Sequence, residues 1–119
     1  MSERREAIKG IVKKGTLELE QFQNQVLRPI LKGQHDLLIA NFQYYTEQRK
    51  INFENCKDNL KSKHIEAILS KDIAFKNLQL GLVIGHFTNE EYALYTFNSA
   101  EYNKRILQML KKRLKDTFV

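Results

Sequence analysis

Helical periodicity constrains this chain more than any other feature it carries. From Leu17 to about Lys50, apolar residues that include Leu19, Phe22, Val26, Ile30, Leu38 and Phe42 fall on one broad arc at about 100° per residue. A strand period cannot produce that arc. Pro29 interrupts the run, but the arc keeps its phase across it, so a kinked helix over about 17–50 is expected. Thr16 suits the N-cap, and Glu18 and Glu20 sit in the first turn, where the macrodipole favours carboxylates. Residues 1–15, with Gly10 and Gly15 flanking Ile11 and Val12, read as an N-terminal arm.

Three further helices are expected. "NFENCKDNLK" carries turn signals, after which Leu60, Ile65, Ile68 and Leu69 mark a helix over about 57–71. Asp72 can cap a third helix, over about 73–87. Thr88 followed by Glu91 is a capping box, with Phe87 and Tyr92 placed as a hydrophobic staple. It opens a fourth helix over about 89–115, on which Tyr92, Tyr95, Ser99, Tyr102, Ile106 and Leu110 share a face. Two long helices with two shorter ones between them imply an all-α fold, an antiparallel four-helix bundle occupying residues 16–119 as one domain. "NLQLGLVIGHFTN" alternates enough to suggest a β-hairpin, but no other segment alternates to give it a sheet.

"GLVIG", residues 81–85, lacks the Gly-Lys-Ser/Thr ending of a phosphate loop and the spacing of a dinucleotide fingerprint. Read as helix, Gly81 and Gly85 lie one turn apart with Ala74 and Leu78 on the same side. Each glycine costs about 1 kcal/mol relative to alanine, which close backbone approach can offset. Leu80, Leu82, Val83, Ile84 and Phe87 surround the remaining circumference. A helix apolar on every side is expected to be covered on every side. Ala74, Leu78, Gly81 and Gly85 are therefore the expected interface of a homodimer, with the N-terminal arm as the rival cover.

No apolar run approaches the roughly 18 residues that span a bilayer, and the N-terminus has no apolar signal region, so no membrane partner and a cytoplasmic location are expected. Cys56 is the only cysteine, which suits a reducing compartment. The net charge of +6 is concentrated at the ends: residues 1–14 hold five Lys/Arg against two Glu, and residues 104–119 hold six against Asp116 alone. Lys104, Arg105, Lys111, Lys112 and Lys115 form a stripe that could hold phosphates of nucleic acid. The bland explanation is that cations in the last turns of a helix favour its dipole.

His35, His64 and His86 fall on three different expected helices, in no pair spaced for zinc or di-iron binding. No metal, cofactor or catalytic constellation is therefore expected. Gln34, Asn41 and Gln48 recur at seven-residue spacing on an otherwise apolar face, as a register-setting network would. If they instead line a small-molecule pocket, Gln34, Asn41, Tyr45, His86, Tyr95 and Ser99 are the ligand-binding candidates.

"LRPILKGQHDLLIANF" and "IGHFTNEEYALYTFNSAEYNKRI" resemble a group of small bacterial helical proteins without an established activity. The resemblance implies an all-helical fold and supplies no catalytic residues. Some of those proteins carry a glyoxalase label; that fold needs β-α-β-β-β modules with metal-binding His and Glu on strands, and this sequence offers neither. The expected function is a binding or protein-interaction module, homodimeric or with another protein partner. Nucleic-acid binding through the last helix, and a small-molecule receptor or enzyme around His86, are the alternatives.

Overall fold

The computed structural model describes residues 18–119; the expected arm over 1–15 and its Thr16 cap lie outside the described residues. Within them the chain is all-helical, with six α-helices, one π-helical turn and no strand. Residues 18–22 are helical and lead through the π-turn Gln23–Leu27 into α1, Arg28–Gly33. Then follow α2 (His35–Gln48), α3 (Asp58–Lys71), α4 (Ile73–Ile84), α5 (Asn89–Phe97) and α6 (Ser99–Phe118). The two long expected helices are each divided: the first at Gln34 (φ −98°, ψ 6°), the last at Asn98 (φ −148°, ψ 53°).

The irregularity expected at Pro29 is a widened turn immediately before it. Proline has no N–H, and its ring crowds the carbonyl four residues back. The π-turn relieves that crowding, and the Arg28 N–H accordingly reaches the Gln23 carbonyl, five residues back. It also sets the phase. Phe22 and Leu27 are both buried although five positions apart, a spacing that a regular α-helix would splay by roughly 140°.

Local chemistry explains the other boundaries. α2 ends with Lys50 in the left-handed region (φ 55°), its N–H bonded to the Glu47 carbonyl and that of Ile51 to Thr46. This is a Schellman closure without the usual glycine. Asp72 caps α4 by accepting from the Phe75 N–H at 3.0 Å. The capping box at α5 is complete: Thr88 N–H donates to Glu91 Oε1 at 2.8 Å, and Glu91 N–H to Thr88 Oγ1 at 3.1 Å. Phe87 packs on Tyr95 and Phe22 at ring separations of 5.8 and 5.3 Å, while Tyr92 is half exposed.

Contacts along α1–α2 and α6 advance in the same sense. Phe22 meets Tyr102, Gln23 meets Arg105, His35 meets Arg113, and Phe42 meets Phe118. These two long stretches therefore lie side by side in one direction. Against α2, α4 is reversed, with Tyr45 on Phe75 and Asn41 on Gln79. Against α6, α3 is reversed as well, pairing Ser70 with Lys111 and Glu66 with Lys115. Between them the helices enclose one core, in which Leu27, Phe42, Ile65, Val83 and Ile106 have no exposed surface. Burying each such side chain contributes about 1.5–3 kcal/mol.

Phe42 organises one end of that core, with Phe53, Phe75 and Phe118 at 5.1, 6.1 and 5.5 Å. The molecule is drawn out, measuring 54 × 24 × 22 Å with a radius of gyration of 16.1 Å. A compact chain of this length would have a radius near about 13.5 Å. An elongated layer of helices covers less of itself, and α4 shows where.

Candidate interaction surface

α4 carries its apolar residues all round, and the fold covers only one side of them. Phe75, Gln79, Leu80 and Val83 are buried against the rest of the molecule. Ala74, Leu78, Gly81 and Gly85, spaced along the opposite side, are exposed together. Among the described residues the neighbours of α4 pack from one direction only; the arm expected as the rival cover lies outside them. Ile73 and Leu78 leave 68% and 50% of their surface in solvent.

The glycines do not serve close packing within the chain. A Cβ added at Gly81 would meet nothing within 4 Å, and one at Gly85 would meet only the Gly81 carbonyl, at 3.0 Å. They instead leave the outer side of α4 flat. The Asn41–Gln79 contact joins α2 to the buried side of α4. Leu37 and Tyr44, one turn either side of Asn41 on α2, are 50% and 62% exposed. The helical arc from 17 to 50 did not single out Tyr44, nor did the third helix single out Ile73 as exposed.

The six expected ligand-binding residues do not converge. Asn41 accepts from Gln79 Nε2 at 2.7 Å. Tyr45 donates to Asp72 Oδ2 at 2.5 Å, with Arg49 stacked over its ring at 5.0 Å. Burial raises the Tyr45 phenol pKa, and its hydrogen bond to the Asp72 carboxylate raises it further; the same bond lowers the Asp72 pKa, helped by the Phe75 N–H. Tyr95 is buried towards the other end, between Phe87 and Tyr102, and donates to Asn103 at 2.6 Å. His86 and Ser99 are exposed, and Gln34 joins α1 to α2. Ser99 keeps the phase of Tyr102 and Ile106 as the first residue of α6, but it stands one turn before the first buried residue of that helix and is exposed.

The expected cationic stripe is partly neutralised. Lys115 and Lys111 both reach Glu66 of α3, at 2.7 and 3.0 Å, and Lys112 pairs with Asp116 at 3.2 Å. The bond from Lys115, then that from Lys111, holds the Glu66 pKa below its ordinary value. Arg105 donates to Gln23 at 2.6 Å, and Lys104 is exposed. His35, His64 and His86 have different neighbourhoods, Arg113, Phe53 and the exposed end of α4 respectively. Among the described residues no group of three or more His, Cys, Asp or Glu is placed to hold a metal ion. Nor is any described helix long and apolar enough to cross a membrane.

No family model, curated protein or solved structure matches this chain. The geometry of its own surfaces is what bears on function.

Proposed function

We propose that this chain is a helical-bundle interaction module that pairs with a second copy of itself through the outer side of α4. The observation that carries the reading is the joint exposure of Ala74, Leu78, Gly81 and Gly85 on one helix side. Small residues flanking a single leucine let two backbones approach closely while Leu78 fills the space beside the opposing glycine. A two-fold axis across α4 makes the surface self-complementary, as a closed dimer requires. Ile73, one residue from Ala74 and 68% exposed, would then border the contact, and the apolar area removed from water drives association.

The drawn-out shape supports the same reading, since a second layer of helices laid on α4 would supply the cover that the described residues do not give it. Binding, rather than catalysis, is the function that such a surface serves. The test is sedimentation of the purified protein at micromolar concentration. A species of twice 14.1 kDa is the expected outcome, and a clean monomer would refute the pairing.

A further inference from the structure

A second surface, remote from the reading above and independent of it, lies where α1 and α2 run beside α6. There a groove of about 350 Å³ is walled by Gln23, Arg28, Leu31, His35, Met109 and Arg113. Arg113 is half-buried and directs Nη1 at His35 Nδ1, 3.1 Å away. A guanidinium only donates, so Nδ1 accepts and the ring proton sits on Nε2. The contact fixes the Arg113 side chain across the groove. Arg28 is held from the other wall by its Nε, which donates to Asn24 Oδ1 at 2.9 Å and leaves the two terminal nitrogens of the fork for other partners.

The charges here are answered differently from those elsewhere in the molecule. Lys111 and Lys115 face Glu66, and Arg49 faces Asp72. At the groove rim Lys112 faces Asp116. Among the described residues no carboxylate lies within ion-pair distance of Arg28 or Arg113. Two guanidinium groups thus wall one concave space, each anchored by a neutral neighbour. Planar guanidinium forks match the oxygens of a phosphate two at a time, and a half-buried one is screened by water less than one on an open surface.

We propose that this groove binds a phosphate or phosphate-ester group, gripped by Arg28 and Arg113, with His35 acting as a positioning residue for Arg113. The phosphate can belong to a free phosphate ester or to a nucleic-acid backbone; the chemistry at the arginines is the same, and the probe separates the two.

The experiment is titration of the ¹⁵N-labelled full-length protein at about 50 mM salt, where electrostatic contacts are little screened, with pyrophosphate in one arm and a short single-stranded oligonucleotide in the other. Expected are saturable shifts centred on Arg28, His35, Met109 and Arg113. Saturation by pyrophosphate assigns a free ester, and saturation by the oligonucleotide alone assigns a backbone phosphate. Arg28→Gln and Arg113→Gln should each weaken binding by about tenfold, the equivalent of one charge-assisted hydrogen bond. Arg113→Lys, which keeps the charge but not the fork, should fall between them and the unaltered protein, and Lys111→Gln should bind as that protein does. Each variant's amide spectrum away from the groove reports that it is folded. The proposal is overturned if neither probe shifts these residues, if the double arginine variant binds as well as the parent, or if Lys111→Gln abolishes binding.

Discussion

Gln79 of α4 is fully enclosed, donates its amide nitrogen to Asn41 Oδ1 across 2.7 Å, and leaves its own Oε1 with no partner. A buried amide satisfied at one end only is held by whatever remains. Asn41→Ala should therefore destabilise the protein by about 1–3 kcal/mol, the cost of stranding the other half. Gln79→Leu, which removes the stranded group and nearly preserves volume, should cost less or even stabilise. Urea denaturation of the two single variants and the double variant would check this; equal losses in both singles would show that the contact is not what matters at this site.

Lys50 closes α2 with φ at 55°, a conformation that costs a side-chain-bearing residue about 1–2 kcal/mol. Lys50→Gly relieves that strain while adding freedom to the unfolded chain. The net expectation is a gain of about 1 kcal/mol or less, seen as a higher denaturation midpoint with an unchanged slope. A loss of stability would mean that the Lys50 side chain contributes more than its backbone costs.

Asp72 and Glu66 both have folded pKa values below their ordinary ones, through hydrogen bonds from Tyr45 and Phe75 in one case and from Lys115 and Lys111 in the other. Their stabilising contribution is therefore complete above the ordinary carboxylate range near about 4 and is lost as pH falls through the lowered values. Thermal melts from pH 7 to 2 should show that decline. Glu66→Gln should remove part of it; because the pair is exposed, the change at neutral pH should be about 1 kcal/mol or less. A Glu66→Gln variant whose acid profile overlays that of the parent would contradict the assignment.

Gly81 has open space where a side chain would stand, so Gly81→Arg can be accommodated by the folded monomer. It gains helix propensity, so it should raise monomer stability slightly, yet it blocks close approach of a second α4. Sedimentation should then show the monomer alone, with the circular dichroism of the parent. If Gly81→Arg pairs as the parent does, α4 is not the contact.

Thr88→Ala removes one half of the capping box and should cost about 0.5–2 kcal/mol. Helix-signal loss would begin in α5, which amide exchange resolves from the slower core around Ile106.

Much of this architecture was legible because side chains announce helix ends. Thr88 with Glu91, and Asp72 ahead of Phe75, act within one turn and so leave a local signature in the chain. Burial of Phe22, Leu38, Ile65 and Leu110 was legible for the same reason: the arc they form depends only on helical pitch. Most of what escaped depends on partners distant in sequence. Asn98 with Glu101 three residues on has the spacing of a helix start, but the apolar face running on from Tyr92 to Met109 hid it, and Ser99 at the start of α6 lies short of the buried stretch. Gln79 could have been noticed as the one amide centred in an apolar stretch, yet its pairing with Asn41 requires α4 to lie reversed on α2. The neutralisation of Lys111 and Lys115 by Glu66 and the neighbouring of Arg28 with Arg113 likewise exist only once α3 and α1 take their places beside α6. The pocket expected around Tyr45, His86 and Tyr95 assumed that polar residues on one arc share one space, whereas the length of the rod separates them.

The widened turn before Pro29 behaves as a helix with one surplus residue threaded into it. Chain length and residue identity are therefore coupled at this point. Deleting a single residue between Phe22 and Leu27 while keeping Pro29 drives the pyrrolidine ring into a backbone oxygen, whereas the same deletion with alanine at position 29 leaves an unbroken spiral and every buried residue facing as before. Shortened forms of this protein should accordingly tolerate the loss here only in company with the loss of the proline.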